Sequence, residues 1–326
     1  MKIDYDVAIV GGGPAGLYSS IVLQRGIPTQ STSENMKIGV FDAGPIGGLA
    51  NHAFIQISKK WAFSGTNVRK SFVEEANEIN IHLEENIHIE KVETSSEDRN
   101  ILVLHSKNRK FTAKYVILAI GIVNNPFVLR DPKVIIGLHT PQHMLEEIEM
   151  KNMKNIILYG PYKQSLIQLK NYFEENGHLN HISINKVNRE QSGNLPGIGE
   201  EEYNQFDGIV LDYNSYKVIN GATQFIELEG VHYEKGFILT DEFGKTHNDR
   251  IYAAGTVSEL TTGILISLSS AIITSLSVGR KLRKELISEP SGRFPWFPRE
   301  DDWEESWLPY LERLGVKSND GSIKRK

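Results

Sequence analysis

The chain has 326 residues, of which 40% are hydrophobic and 24% charged, the make-up of a globular protein long enough for two domains. Its formal net charge of -5 gives no electrostatic footprint for nucleic acid or an anionic membrane. Cysteine is absent, which excludes disulfides, thiolate metal sites, cysteine nucleophiles and dithiol relays.

The first element is an apolar run, Val7 to Val10, entering the turn Gly11-Gly12-Gly13-Pro14-Ala15-Gly16, with a helix-compatible segment from Leu17 to Gln24 beyond it. Gly11, Gly13 and Gly16 have the G-x-G-x-x-G spacing of a dinucleotide-binding βαβ unit. The first allows the tight turn, the second admits a pyrophosphate close to the backbone, and the third lets the helix pack on the strand. The N–H groups opening that helix then face the anion. A polar stretch, Pro28 to Asn35, reads as a loop before a second strand, Lys37 to Phe41. That strand ends in Asp42, where a βαβ unit places an acceptor for ribose hydroxyls. The gap from Gly16 to Asp42 exceeds the usual ~20 residues, and the polar loop accounts for the excess.

Gly44 to Gly48 forms a second flexible turn, and a helix is predicted from Thr66 to Ile79 on the spacing of Val68, Phe72, Val73, Ala76 and Ile79. Ile87 to Val92, Ile101 to His105 and Lys110 to Thr112 read as a small antiparallel meander. Tyr115 to Ile120 reads as a strand buried on both faces, stopping at Gly121. The middle region has its own βαβ-like start: strand Asn155 to Tyr159, helix Gln164 to Phe173, strand His181 to Asn185. Short strands are expected at Gly208 to Leu211, Tyr216 to Ile219 and Thr223 to Leu228. Thr140-Pro141 reads as a helix cap with proline in the first turn. Arg250 to Ala254 is another buried strand ending in glycine, Gly255. The helix expected from about Gly263 is interrupted by Ser267, Ser269, Ser270, Thr274, Ser275 and Ser277, which suits a buried helix better than a membrane span. Aromatics crowd the tail: Trp296, Trp303, Trp307 and Tyr310. No basic stretch followed by an apolar run opens the chain, so a cytoplasmic protein is expected.

The opening glycine turn, Asp42, the GPIGG turn, Ala119-Ile120-Gly121 and the IYAAG strand leading into a helix occur in an order that resembles the two-dinucleotide-binding-domain flavoproteins. The thioredoxin reductase-like branch, which includes ferredoxin–NADP reductases of that type, matches in length. The resemblance implies an α/β fold: an FAD-binding Rossmann-like domain (residues 1–126 and 236–326, with an aromatic C-terminal extension from about 290). An inserted, reduced second nucleotide-binding-like domain would occupy residues 127–235. It implies FAD held by Gly11, Gly13, Pro14, Ala15, Gly16, Asp42, Ala43, Gly48, Leu49, Val92, Ala119, Gly121, Gly255, Thr256, Thr262, Gly263 and Ile264. Where the family follows AAG with Asp, this chain has Thr256, so a neutral hydroxyl replaces a charge-assisted contact. The family also implies a homodimer.

Two departures bear on activity. The C-x-x-C pair of thioredoxin reductases has no counterpart in Val134 to His143, so reduction of thioredoxin by that route is excluded. His139 and His143 in this stretch are better read as part of the helix start than as metal ligands, since no third ligand is evident. In the second turn, Gly160-Pro-Tyr162-Lys163-Gln-Ser165, a tyrosine stands where a second glycine is needed. Lys186 and Arg189 are a thin substitute for a 2′-phosphate clamp, so ordinary NAD(P)H binding is disfavoured. The leading expectation is an FAD-dependent oxidoreductase acting directly on a small molecule or redox protein. Its alternatives are an NAD(P)H-dependent ferredoxin or flavodoxin reductase-like enzyme using Lys163 or Lys186, and a non-catalytic flavin-binding sensor or scaffold. No residue declares itself catalytic; His52 is a weak candidate near the flavin, with Tyr18 and Tyr162 weaker still.

Overall fold

The structure is a computed structural model that describes residues 3–25, 36–122, 131–137, 140–160, 162–186, 204–212, 222–258 and 263–287. Contacts divide the chain into two compact units, Met1–Leu276 and Ser277–Lys326. In the second unit, residues 277–287 are helical.

The chain begins with β1 (Tyr5–Val10), α1 (Pro14–Arg25) and β2 (Ile38–Phe41). A short 3-10 turn, Gly48–His52, leads to the hairpin of β3 (Phe54–Ser58) and β4 (Trp61–Ser64). Helix α2 (Gly65–Glu78) follows, capped by Ser64, whose side chain accepts from the Asn67 N–H. Then come β5 (His82–Glu84), β6 (Ile89–Thr94), β7 (Leu102–Ser106) and β8 (Lys110–Leu118). The middle region supplies β9 (Val134–Ile136), α3 (Pro141–Met150), β10 (Asn155–Gly160), α4 (Lys163–Asn176), β11 (His181–Lys186) and β12 (Gly208–Leu211). The chain ends its described part with β13 (Glu227–Leu228), β14 (Tyr233–Glu234), β15 (Phe237–Ile238), β16 (Ile251–Ala253) and α5 (Ile264–Ile287).

Two parallel cores organise these elements. The larger sheet runs β13-β6-β7-β8-β1-β2-β5, with β16 also on β8. The smaller runs β11-β10-β12-β9, and all of its pairs are parallel. The segments expected at Lys110–Thr112 and Tyr115–Ile120 are one strand, β8. Its first half is antiparallel to β7, and its second half is parallel to β1 and β16. Alternation therefore gives way to a continuous apolar run where neighbours appear on both edges and both faces are covered.

Thr223–Leu228 differs from expectation. A 3-10 turn, Ala222–Phe225, replaces most of the strand, and the two-residue β13 pairs with β6. Leu228 thus lies in the first sheet, although its position in the chain falls in the middle region. Two strand pairs had no visible turn signal. The β3–β4 hairpin turns at Lys59-Lys60 and the β14–β15 hairpin at Lys235-Gly236, where Lys235 has φ 51°. The Tyr216–Ile219 expectation lies outside the described residues.

Helix α5 is long and apolar enough to cross a membrane by length and composition, with a mean hydropathy of 1.2 over Ile264–Leu282. Its hydroxyls explain what the composition leaves open. Ser270 Oγ accepts from the Gly255 N–H, Thr274 Oγ1 donates to the Ala253 carbonyl and Ser275 Oγ donates to the Ser19 carbonyl. Thr274 and Ser275 are each 1% exposed, so these hydroxyls face protein rather than solvent.

Candidate functional site: two glycine turns joined by Asp42

The first turn follows directly from the packing of β1 between β2 and β8. Gly11 has φ +105°, and a Cβ on it would collide with the carbonyl of Ala119 on the neighbouring chain segment. Glycine is required there for both reasons. A Cβ on Gly16 would run into the carbonyl oxygen of Gly11, so α1 sits against the turn as the third glycine of the spacing demands. At Gly13, by contrast, a Cβ would meet nothing within 4 Å. That side of the loop is open, beside the start of α1, where N–H groups lack intrahelical partners.

Asp42 follows the last residue of β2 and is 9% exposed. Its Oδ2 accepts from the Gly12 N–H and its Oδ1 from the Gly44 N–H, both at 2.6 Å. The Gly47 N–H donates to the Gly12 carbonyl at 2.7 Å. A Cβ on Gly48 would stand 3.5 Å from the Gly13 Cα. One carboxylate thus ties two glycine turns together. Sequence spacing pointed to a ribose acceptor; the geometry adds a bracing role.

Beside this junction lies a pocket of about 450 Å³, part of it open to solvent. Gly11, Asp42 and Ala43 line it with Ile87, His88 and Ile89, and with Ile120, Phe225 and Ile226. Val92 does not: it is fully buried among the apolar residues of the sheet. The wall on this side is formed instead by Ile87–Ile89, a few residues earlier. The cause is the segment before β6, where the Ile87 N–H donates to the Asp42 carbonyl and the Asn86 N–H to the Gly44 carbonyl. Asn86 has φ 60°, and Asn is among the residues that tolerate that conformation. The Glu84-Glu85-Asn86 turn was the available signal for this wall.

The other expected residues are placed as follows. The Ala119 N–H donates to the Val10 carbonyl at 2.7 Å. A Cβ on Gly255 would lie 2.7 Å from the Ala15 Cβ, and one on Gly121 would lie 3.8 Å from the Thr256 Oγ1. Gly263 precedes α5, and Ile264 begins it with 9% exposure. Pro14 opens α1, and Leu49 lies in the 3-10 turn after Gly48. Thr262 lies outside the described residues, as do His139, Arg189 and the aromatic residues from Trp296 to Tyr310.

His52 ends the 3-10 turn, and its Nδ1 lies 4.0 Å from Glu147 Oε1 on α3, whose other partner is Lys151 at 2.9 Å. It is not among the residues lining the pocket. Tyr18 stacks on Phe72 with ring centroids 5.2 Å apart, and burial, followed by the nearby Glu75 charge, pushes its phenol above the ordinary range. His143 stands in the first turn of α3, with Nδ1 2.8 Å from the Thr140 hydroxyl that caps the helix.

Among the described residues, the second turn has no such brace from a glycine-rich partner. Tyr162, 44% exposed, holds the position before α4 and supplies no capping side-chain hydrogen bond. Lys186 ends β11 opposite Gly160.

Residues 5–158 match the family model described as pyridine nucleotide-disulphide oxidoreductase. Among solved structures, the chain is similar to thioredoxin reductase of T. acidophilum, with 16% identity and a TM-score of 0.54 over 86% of this chain and 99% of that one. It is similar to Lactococcus lactis thioredoxin reductase, with 18% identity and a TM-score of 0.54 over 86% and 100%. For a thioredoxin reductase from Gloeobacter violaceus the values are 16% and 0.50 over 89% and 99%. No curated protein matches the sequence. The chain has the α/β thioredoxin reductase-like fold, built without cysteine, and its residues 5–158 carry the pyridine nucleotide-disulphide oxidoreductase pattern.

Proposed function

We propose that the chain is an FAD-dependent oxidoreductase whose flavin meets its reaction partner directly. One observation carries the reading: a single buried carboxylate joins two glycine turns beside an open pocket, next to the start of α1. That is where an open parallel sheet receives a dinucleotide. The residues present fit FAD, because Gly13 leaves the loop open where a pyrophosphate needs backbone contact. FAD, when bound, would supply the hydride or single-electron chemistry.

The chain's own residues bind and orient. Gly11 to Gly16 would take the pyrophosphate, and Asp42 the adenosine ribose. Ile87, Ile89 and Ile226 give the adenosine pocket apolar walls. Gly121 and Thr256 would meet the middle of the cofactor, where a Thr256 hydroxyl gives roughly half the strength of a charge-assisted bond. Ser270 and Thr274 of α5 fix the Gly255 turn by their bonds to Gly255 and Ala253. The N-terminus of α5 favours negative charge placed near it. The electron partner is a small molecule or a redox protein, and the reading includes a cytoplasmic homodimer that takes no pyridine nucleotide.

Absorption of the purified protein tests it, followed by anaerobic titration with NADPH, NADH and dithionite. A flavin spectrum bleached by dithionite but not by either nucleotide is the expected result. Protein that stays colourless after incubation with FAD would sink the reading.

A further inference from the structure

The parallel strand triplets of the two sheets allow their turns to be superposed by register alone. Val10 pairs with Phe41 and with Leu118, while Tyr159 pairs with Asn185 and with Leu211. One residue further along, Gly160 therefore stands where Gly11 does, Lys186 where Asp42 does, and Asp212 where Ala119 does. The Asp212 N–H donates to the Tyr159 carbonyl at 2.7 Å, as the Ala119 N–H does to that of Val10. Counting along the turns puts Tyr162 at the Gly13 position and Ser165 at the Gly16 position.

The charges are inverted between the two turns. The first has an acid at the end of its second strand and a neutral methyl beside the turn. The second has a base at the end of its second strand and an acid beside the turn. Asp212 is 9% exposed, and its Oδ2 accepts from the Ser165 hydroxyl at 2.9 Å in the first turn of α4. A Cβ on Gly160 would stand 3.0 Å from the Asp212 Cβ, so the carboxylate is packed against the turn itself.

These residues do not fit a pyridine nucleotide, and we propose that Asp212, with Tyr162, is what determines its exclusion. Asp212 places its carboxylate against the first turn of α4, which the pyrophosphate of a dinucleotide would have to approach. Juxtaposed like charges oppose binding. Tyr162 adds a steric block where Gly13 leaves space in the first turn. The inference deepens the reading that no pyridine nucleotide is bound, and names the residues responsible.

Calorimetric titration of the FAD-loaded full-length protein with NADPH and NADH is the test. The wild type should show no binding at millimolar nucleotide. Asp212→Asn keeps the side chain's size and an acceptor for Ser165 while removing the charge. Combined with Tyr162→Gly, it should bind NADPH measurably, with a Kd at least about tenfold below the highest nucleotide concentration that leaves the wild type unbound. Asp212→Asn alone should show a smaller gain in the same direction. Ser165→Ala, which removes the hydroxyl and leaves the charge, should bind no better than the wild type. Flavin absorbance and melting temperature establish that each variant is folded. If the double variant does not fold, the single Asp212→Asn decides. Charge-removed variants that are folded yet gain nothing overturn the assignment of Asp212 and leave the wider reading standing. A wild type that binds NADPH overturns both.

Discussion

The two βαβ units share a topology and differ in what braces their turns. In the first, Asp42 accepts from two backbone N–H groups and joins two glycine loops, leaving the Gly13 face open. In the second, a carboxylate packs beneath the turn itself and binds a hydroxyl of the following helix. Parallel strands with a helix between them thus leave the chemistry around the turn open to variation. The two carboxylates differ in what they bind: Asp42 takes backbone N–H groups of two glycine loops, whereas Asp212 takes the Ser165 hydroxyl of α4.

The largest way to break this contrast is at Gly16. Gly16→Val would drive a side chain into the Gly11 carbonyl. It should cost about 4 kcal/mol, typical of severe backbone collision, and abolish FAD retention, as read by melting temperature and flavin absorbance. The reverse change at the matching position, Ser165→Gly, should leave flavin content unchanged. Asp42→Ala leaves the N–H groups of Gly12 and Gly44 without their acceptor. It should cost about 3 kcal/mol in chemical denaturation, with FAD affinity falling in parallel. Ser270→Ala loosens the Gly255 turn and should cost about 1 kcal/mol.

The smallest effect lies at the start of the second unit. Asp207 Oδ2 accepts from the N–H groups of Asn155 and Lys154 and from the Asn155 side chain. These bonds, the Asn155 N–H first, hold its carboxyl below the usual range. A depressed folded pKa means the contribution is present above the unfolded value near ~3.9 and is lost as pH falls through the folded value. Asp207→Asn should therefore cost about 0.5 kcal/mol at neutral pH, as an exposed group warrants, and the difference from wild type should vanish in strong acid. Denaturant midpoints across an acid series would check it.

The first turn was legible because glycine spacing records a steric fact. Gly11, Gly13 and Gly16 mark where backbone meets backbone or must stay clear of a side chain. The second turn was half legible. Tyr162 visibly stands where a glycine was expected, but Asp212 directly follows a strand, β12, whose register with β10 no local pattern encodes. The pocket wall at Ile87–Ile89 was not legible, since an alternating run shows which residues face inward without showing where the strand begins. Glu227–Leu228 was harder still. Two residues joining a sheet built mostly from another part of the chain carry no periodicity at all.

The central strand β8 has a consequence for how the chain is made. Its parallel edge stays open from the synthesis of Val116 until Ile251 emerges, with the whole middle region in between. During that interval a run of apolar residues with unpaired N–H and carbonyl groups is available to any passing strand, a hazard for association between nascent chains. Truncation before β16 should therefore yield aggregates rather than a smaller soluble protein, whereas chains that reach α5 close the edge from within.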